Sequence, residues 1–261
     1  MQKRLYPISH QDFPKLIDQG FTYIDKTHFA FSIVQRGGYY FLSRPRRFGK
    51  SLFISTLESI FQGKKELFEG LYIHDQWSFE EYPIIRIAFN TLSYENDKLE
   101  EALSNSLKKI AKTYQIAIDE GSVKEQFQSL IDQLFLLYNK GVVILIDEYD
   151  KPIIDYLNKS NINQALINRD VLKSFYSILK DADPYLKLVF ITGVSKFSKV
   201  SIFSDLNNLK DLSLAPEYND ICGINQKELD QYFQEELKIY DREKIKEWYN
   251  GYRWDINGDS I

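Results

Sequence analysis

The chain reads as an α/β protein with a mainly parallel sheet between layers of helices. Three observations predict this. Short apolar runs of strand length, 39–43, 84–89, 141–147 and 188–191, are separated by stretches with helical spacing of apolar residues. The run Gly141-Val142-Val143-Ile144-Leu145-Ile146 has no polar alternation, as expected of a strand buried on both faces. Polar or charged groups follow the ends of these runs, where open parallel sheets carry their functional residues.

The elements follow in order. Asp12 to Gly20 reads as a short helix closed by glycine, and Phe29, Ile33 and Val34 mark a second helix. Tyr39-Tyr40-Phe41-Leu42-Ser43 is the first strand. Phe53, Leu57, Ile60 and Phe61 share one face of the helix that follows it. After a polar stretch with Gly63 and Gly70 comes the strand Ile84–Phe89. Leu99, Leu103, Leu107, Ile110 and Tyr114 recur at helical spacing, as do Val123, Phe127, Leu130, Ile131, Leu134 and Tyr138. Past the strand 141–147, Val171, Leu172, Phe175, Ile178 and Leu179 mark another helix before Leu188–Ile191. From about residue 226 the texture changes. Leu229, Tyr232, Phe233 and Leu237 suit one amphipathic helix, and Ile245, Trp248 and Tyr249 a second. The expected division is a core over 1–225 and a small helical lid over 226–261. Thirty-six or so residues without disulfide or metal are too few for a core of their own. An end so soon after the aromatic cluster Trp248, Tyr249, Tyr252 and Trp254 suggests a piece of a longer protein.

Composition narrows the partners. The chain has 261 residues, 44% of them hydrophobic, and a net charge of −4. No global basic field invites nucleic acid. The lone cysteine, Cys222, gives no disulfide framework and no cysteine zinc site, and the three histidines lie far apart in sequence. No apolar run reaches the length of a membrane span, and the first residues lack a signal-peptide core. The expected setting is soluble, reducing and cytoplasmic, with no membrane partner.

The chemistry concentrates at two strand ends. Arg44-Pro45-Arg46-Arg47-Phe48-Gly49-Lys50-Ser51 joins the first strand to a helix and ends in Gly-Lys-Ser. Strand, loop and helix in that order is the setting of a phosphate-binding loop. Gly49 lets the backbone approach a phosphate, Lys50 places an ammonium on the β- and γ-phosphates, and Ser51 offers a hydroxyl to Mg²⁺. The first turn of the helix, with Leu52, adds N–H groups and the positive end of a dipole. The usual pattern has glycine where this chain has Arg44. Arg44, Arg46 and Arg47 are expected to neutralise phosphates, or one of them to act on a neighbouring copy. A basic surface loop is the plainer alternative to the phosphate-loop reading, and salt bridging to nearby acids the plainer role of the three arginines. The second end is Asp147-Glu148, after the buried run. Asp147 is placed to hold Mg²⁺ and Glu148 to orient or deprotonate a water. Asp150 stands two residues on as a supporting group. After the last run, Thr192, Ser195 and Lys196 are candidates to sense the γ-phosphate, against ordinary turn hydroxyls. Lys196–Ser204 mixes basic, hydroxyl and aromatic residues that suit contact with phosphate, a partner or nucleic acid, or else a solvated loop with buried phenylalanines.

These segments together resemble the bacterial AAA-ATPase-like family whose phosphate loop reads RPRRFGKS. Tyr23-Ile24-Asp25-Lys26-Thr27, Leu145–Pro152, Thr192–Ser198, Leu206-Asn207-Asn208-Leu209 and Trp248–Tyr252 match further motifs of that family, over nearly the whole chain. The resemblance implies a P-loop fold with an additional strand between the phosphate-loop strand and the Asp-Glu strand. It implies ATP and Mg²⁺ as ligands, with Tyr23, Asp25 and Lys26 joining residues 44–52 at the nucleotide. Such proteins often carry a C-terminal nuclease-like domain, and mobile-element or defence roles are associated with them. The leading expectation is an ATPase that drives or gates a partner, self-association included. A non-hydrolysing nucleotide switch is the runner-up, and direct phosphodiester chemistry by Asp147-Glu148-Tyr149-Asp150-Lys151 ranks last.

Overall fold

The computed structural model describes residues 5–94, 98–157, 161–195, 202, 203, 206–241, 244, 245 and 247. Five strands form one sheet: β1 (Gly38–Ser43), β2 (Ile84–Ala88), β3 (Val142–Asp147), β4 (Leu186–Gly193) and β5 (Lys210–Asp211). Their order is β2-β3-β4-β1-β5, and every pairing is parallel. β4 lies between β1 and β3, which is the additional strand that the family resemblance implies.

The strand sequences explain why both faces are covered. Val142, Ile144 and Ile146 of β3 join one core, and Val143 and Leu145 join the other. Tyr39 and Phe41 of β1 part from Tyr40 and Leu42 in the same way. Successive side chains of a strand point to opposite faces, so a strand with a core on each side has no polar positions. The first core is closed by α4 (Leu99–Thr113), α5 (Val123–Tyr138) and α7 (Ile162–Asp181). The second is closed by α1 (Phe13–Asp18), α2 (Thr27–Arg36) and α3 (Lys50–Phe61).

Local chemistry fixes the helix starts. Asp12 caps α1 by accepting the Lys15 N–H at 2.8 Å. Ser122 and Glu125 form a capping box at α5. Tyr114 closes part of the open β2 edge: its hydroxyl accepts from Ile84 N at 2.8 Å and donates to Ile84 O at 3.0 Å.

Two elements depart from the expectation. α7 begins at Ile162, well before Val171; Ile162, Leu166 and Ile167 are exposed and blur the apolar stripe that would mark its first half. β5 is only two residues long and carries no apolar run, so nothing in its sequence marks a strand. A short helix, α6 (Lys151–Ile154), follows β3. Beyond residue 225 come α8 (Gln226–Tyr232), capped by an Asn225–Glu228 box, and α9 (Gln234–Leu237). Leu237 is buried there. Trp248, Tyr249, Tyr252 and Trp254, and Lys196–Ser201 of the post-β4 segment, lie outside the described residues. Among the described residues no helix is long and apolar enough to cross a membrane.

Candidate nucleotide site at the carboxyl edge of the sheet

Register brings the functional segments together. Ser43 at the end of β1 pairs with Gly193 of β4, and Ile146 of β3 pairs with Ile191. The loop after β1, the turn after β3 and the turn after β4 therefore share one edge of the sheet.

The loop after β1 turns through two left-handed residues, Arg47 (φ 69°) and Gly49 (φ 93°). Gly49 caps α3, whose first residue is Lys50. Lys50 is buried, and its Nζ donates to the carbonyls of Arg44 and Pro45, each at 2.9 Å. Burial lowers the Lys50 pKa, opposed by Cys222, Asp147, Glu148 and Asp150. Ser51 and Leu52 are half-buried in the first turn, Pro45 and Phe48 are half-buried in the loop, and Arg46 and Arg47 are exposed.

The turn after β3 is built by hydrogen bonds to β4. Asp147 is 1% exposed and its Oδ1 accepts from Thr192 Oγ1 at 2.6 Å. The Glu148 N–H reaches the same Thr192 oxygen at 3.4 Å, and Glu148 itself adopts a left-handed backbone (φ 56°). That conformation is uncommon for a residue with a long side chain and points to a constrained turn. Burial raises the Glu148 pKa, as does the charge of Asp147, against Lys50, Lys151 and Arg46. Tyr149 N donates to Thr192 O at 3.0 Å and its hydroxyl to Ser195 O at 2.9 Å. Asp150 Oδ2 accepts the backbone N–H groups of Val194 at 3.0 Å and Ser195 at 2.6 Å. Burial raises the Asp150 pKa and those two N–H groups hold it back. Gly193 has to be glycine: a Cβ there would stand 2.3 Å from the Tyr149 ring.

Tyr23, Asp25 and Lys26 have protein partners around α2, α3 and α8. The Tyr23 hydroxyl lies 3.4 Å from Thr56 Oγ1 of α3, and burial pushes its pKa up. Asp25 Oδ1 caps Thr27 through its N–H and hydroxyl, Oδ2 accepts from Tyr72 N at 2.8 Å, and Asp25 N donates to the Tyr232 hydroxyl at 3.2 Å. Lys26 forms an ion pair with Glu228 of α8.

The charge-neutralising role expected of Arg44 is not what its surroundings give. Arg44 is 1% exposed, and its guanidinium is turned into the protein, against backbone carbonyls. Sequence reasoning also missed the segment that receives it. Ser213 Oγ accepts from Ser43 N at 2.9 Å, and Gly223 N donates to Phe48 O at 3.1 Å. Cys222 beside them is buried, with a pKa raised to about 11 by that burial and lowered by Arg44, Lys50 and Lys26. These partners lie some 170 residues from the loop and carry no motif.

A family described as predicted AAA-ATPase matches residues 7–203. The chain belongs to that family. The match spans both strand ends described above and stops before the Ser213–Gly223 segment. An Azotobacter chroococcum mcd 1 protein, named "Uncharacterized protein in vnfD 5'region", is similar to this AAA-ATPase-like chain. The two are 41% identical over 257 residues, which is 97% of this chain and 49% of the relative. The chain thus spans about half the length of that relative. No solved structure matches the chain.

Proposed function

We propose that this chain binds Mg-ATP at the Arg44–Ser51 loop and hydrolyses it slowly to gate a partner. The observation that carries the reading is that strand register puts the loop bearing Lys50 and the turn bearing Asp147 and Glu148 at one carboxyl edge of the sheet, on either side of β4. An ammonium at the start of a helix and a carboxylate pair on the facing strand are the two halves of a phosphoryl-transfer site. Two of the three Lys50 ammonium N–H groups go to the Arg44 and Pro45 carbonyls, and the third donates to a phosphate oxygen. N–H groups of the first turn of α3 take the same charge. Arg46 and Arg47, exposed on the loop, supply further positive field.

The donor set suits Mg²⁺. Among the described residues no three His, Cys, Asp or Glu side chains converge as a cage. Mg²⁺ at a nucleotide keeps several waters and takes only one or two protein oxygens besides phosphate. Ser51 and Asp147 are hard oxygen donors of that kind, and Mg²⁺ held there would neutralise charge on the phosphates. Glu148, its pKa raised, accepts a proton from water or orients it. Thr192 holds the Asp147 carboxylate and the Glu148 backbone in one network, the place of a sensor, while Ser195 is fixed by Asp150.

The lid assignment for 226–261 is supported by its α8 contacts. Glu228 and Tyr232 tie α8 to Lys26 and Asp25, next to the helices that flank the loop. The nuclease-like fusion remains an implication of the resemblance, for which half of the relative's length lies beyond the match.

Glu148→Gln tests the hydrolytic reading. The amide keeps shape and loses basicity, so the variant should retain ATP and release phosphate about 10²-fold more slowly, or worse. Phosphate release at the wild-type rate would remove Glu148 from the chemistry and favour a non-hydrolysing switch.

A further inference from the structure

Position 44 is where the usual phosphate-loop pattern has its first glycine. Nothing in this backbone asks for one, since Arg44 is not among the residues with positive φ. The arginine does something that glycine cannot. Its Nη1 donates to Ser43 O at 3.0 Å and to Ser213 O at 2.7 Å. Its Nη2 reaches Tyr218 O and Asn219 O, each at 3.4 Å. Asp211 and Asp220 add opposite charge in the vicinity.

The receiving segment touches the loop at both ends. Its first contacts are Ser213 Oγ to Ser43 N at 2.9 Å and Ser213 O to Arg44. Its last is Gly223 N to Phe48 O at 3.1 Å. The Lys50 ammonium rests on the carbonyl of Arg44 itself. Where the backbone of residue 44 stands therefore bears directly on where Lys50 stands. Burying a guanidinium is costly. A rigid fork that spans several carbonyls is a task for which lysine is a poor substitute.

We propose that Arg44 is a positioning residue: it fastens the entry of the loop to a Ser213–Gly223 bracket, and so sets the geometry in which Lys50 and the loop N–H groups meet the phosphates of a nucleoside triphosphate. The proposal rests on the reading that the loop binds nucleotide. Phosphate neutralisation falls instead to the exposed Arg46 and Arg47. Replacing Arg44 with the glycine of the usual pattern should therefore harm the site.

The test is calorimetric titration of the full chain with a Mg²⁺-loaded non-hydrolysable ATP analogue, each variant well below its own Tm. Arg44→Lys and Arg44→Gly should each bind about tenfold more weakly than wild type or worse, with KM for ATP raised alongside. A merely structural role would lower Tm and leave affinity and KM alone. Gly223→Ala acts from outside the loop: it strains a left-handed residue (φ 84°) whose N–H holds Phe48. It should weaken binding by about threefold, and it decides the matter if the Arg44 variants do not fold. Wild-type affinity in the folded Arg44 variants, or in Gly223→Ala where those do not fold, overturns the bracket while leaving nucleotide binding intact. Failure of the wild-type chain to bind the analogue overturns the nucleotide reading itself.

Discussion

The loop after β1 and the turn after β3 face each other at one edge of the sheet, yet they are held in different ways. The loop is fixed by groups remote in sequence. Ser213, Tyr218 and Asn219 take the Arg44 guanidinium and Gly223 takes the Phe48 carbonyl. The turn is fixed by the strand beside it, through Thr192, Val194 and Ser195 at the end of β4. The loop therefore depends on tertiary closure by a distant segment. The turn is hydrogen-bonded to the end of β4, with Tyr149 packed on Phe41 and Phe203. On the proposed nucleotide reading, the carboxylate side is held by β4 and the phosphate side is the one that the Ser213–Gly223 segment would shape.

Changes on the β4 side should damage the fold most. Gly193→Ala forces a methyl against the Tyr149 ring, where the gap is 2.3 Å. Tyr149 is fully buried and cannot retreat, so the variant should lose about 3 kcal/mol or fail to fold, as read by urea denaturation. Near-wild-type stability would mean that the turn is softer than its contacts indicate. Asp150→Ala should cost about 2 kcal/mol by the same measurement, because two backbone N–H groups lose their acceptor. The loop entry also touches the end of β4, through Arg44 N to Gly193 O at 3.2 Å and Ser43 Oγ to Val194 O at 3.0 Å, but Phe48–Lys50, held through Gly223, should keep its own hydrogen-exchange pattern in that variant. Spread of the damage to Phe48–Lys50 would erase the distinction between the two halves.

The smallest effect is in pH. Burial and Asp147 raise the Glu148 pKa above its ordinary 4.5. The acid limb of the ATP hydrolysis profile should therefore lie above that value, with activity lost as pH falls through it. Burial likewise raises the Asp150 pKa. A raised carboxyl pKa means that the folded state holds the proton more tightly than the unfolded chain. That contribution is full below the unfolded pKa and is lost as pH rises through the folded one. Asp150→Asn should flatten this part of the stability–pH curve, and an unchanged curve would place the titration elsewhere.

The contrast between the halves also explains what the sequence reveals. Strands covered on both faces read as unbroken apolar runs, so β1, β3 and β4 were legible, and so was the family through its motifs. The position of Asp147, Glu148 and Thr192 at the ends of strands is legible, because the apolar runs before them end there. The inward turn of Arg44 was not. Its partners are backbone carbonyls, which any sequence supplies, and they belong to a segment without periodicity after a two-residue strand. The first half of α7 was obscured for the opposite reason, since Ile162, Leu166 and Ile167 put apolar side chains into solvent.

The central claim is that a nucleotide binds between these halves through Lys50. Calorimetric titration of wild type and Lys50→Ala with a Mg²⁺-loaded ATP analogue tests it most directly. The account predicts binding to wild type and an affinity at least about tenfold lower in the folded variant, roughly 1.4 kcal/mol, because a charge-assisted contact to phosphate is removed. Equal affinity in the two proteins would contradict it.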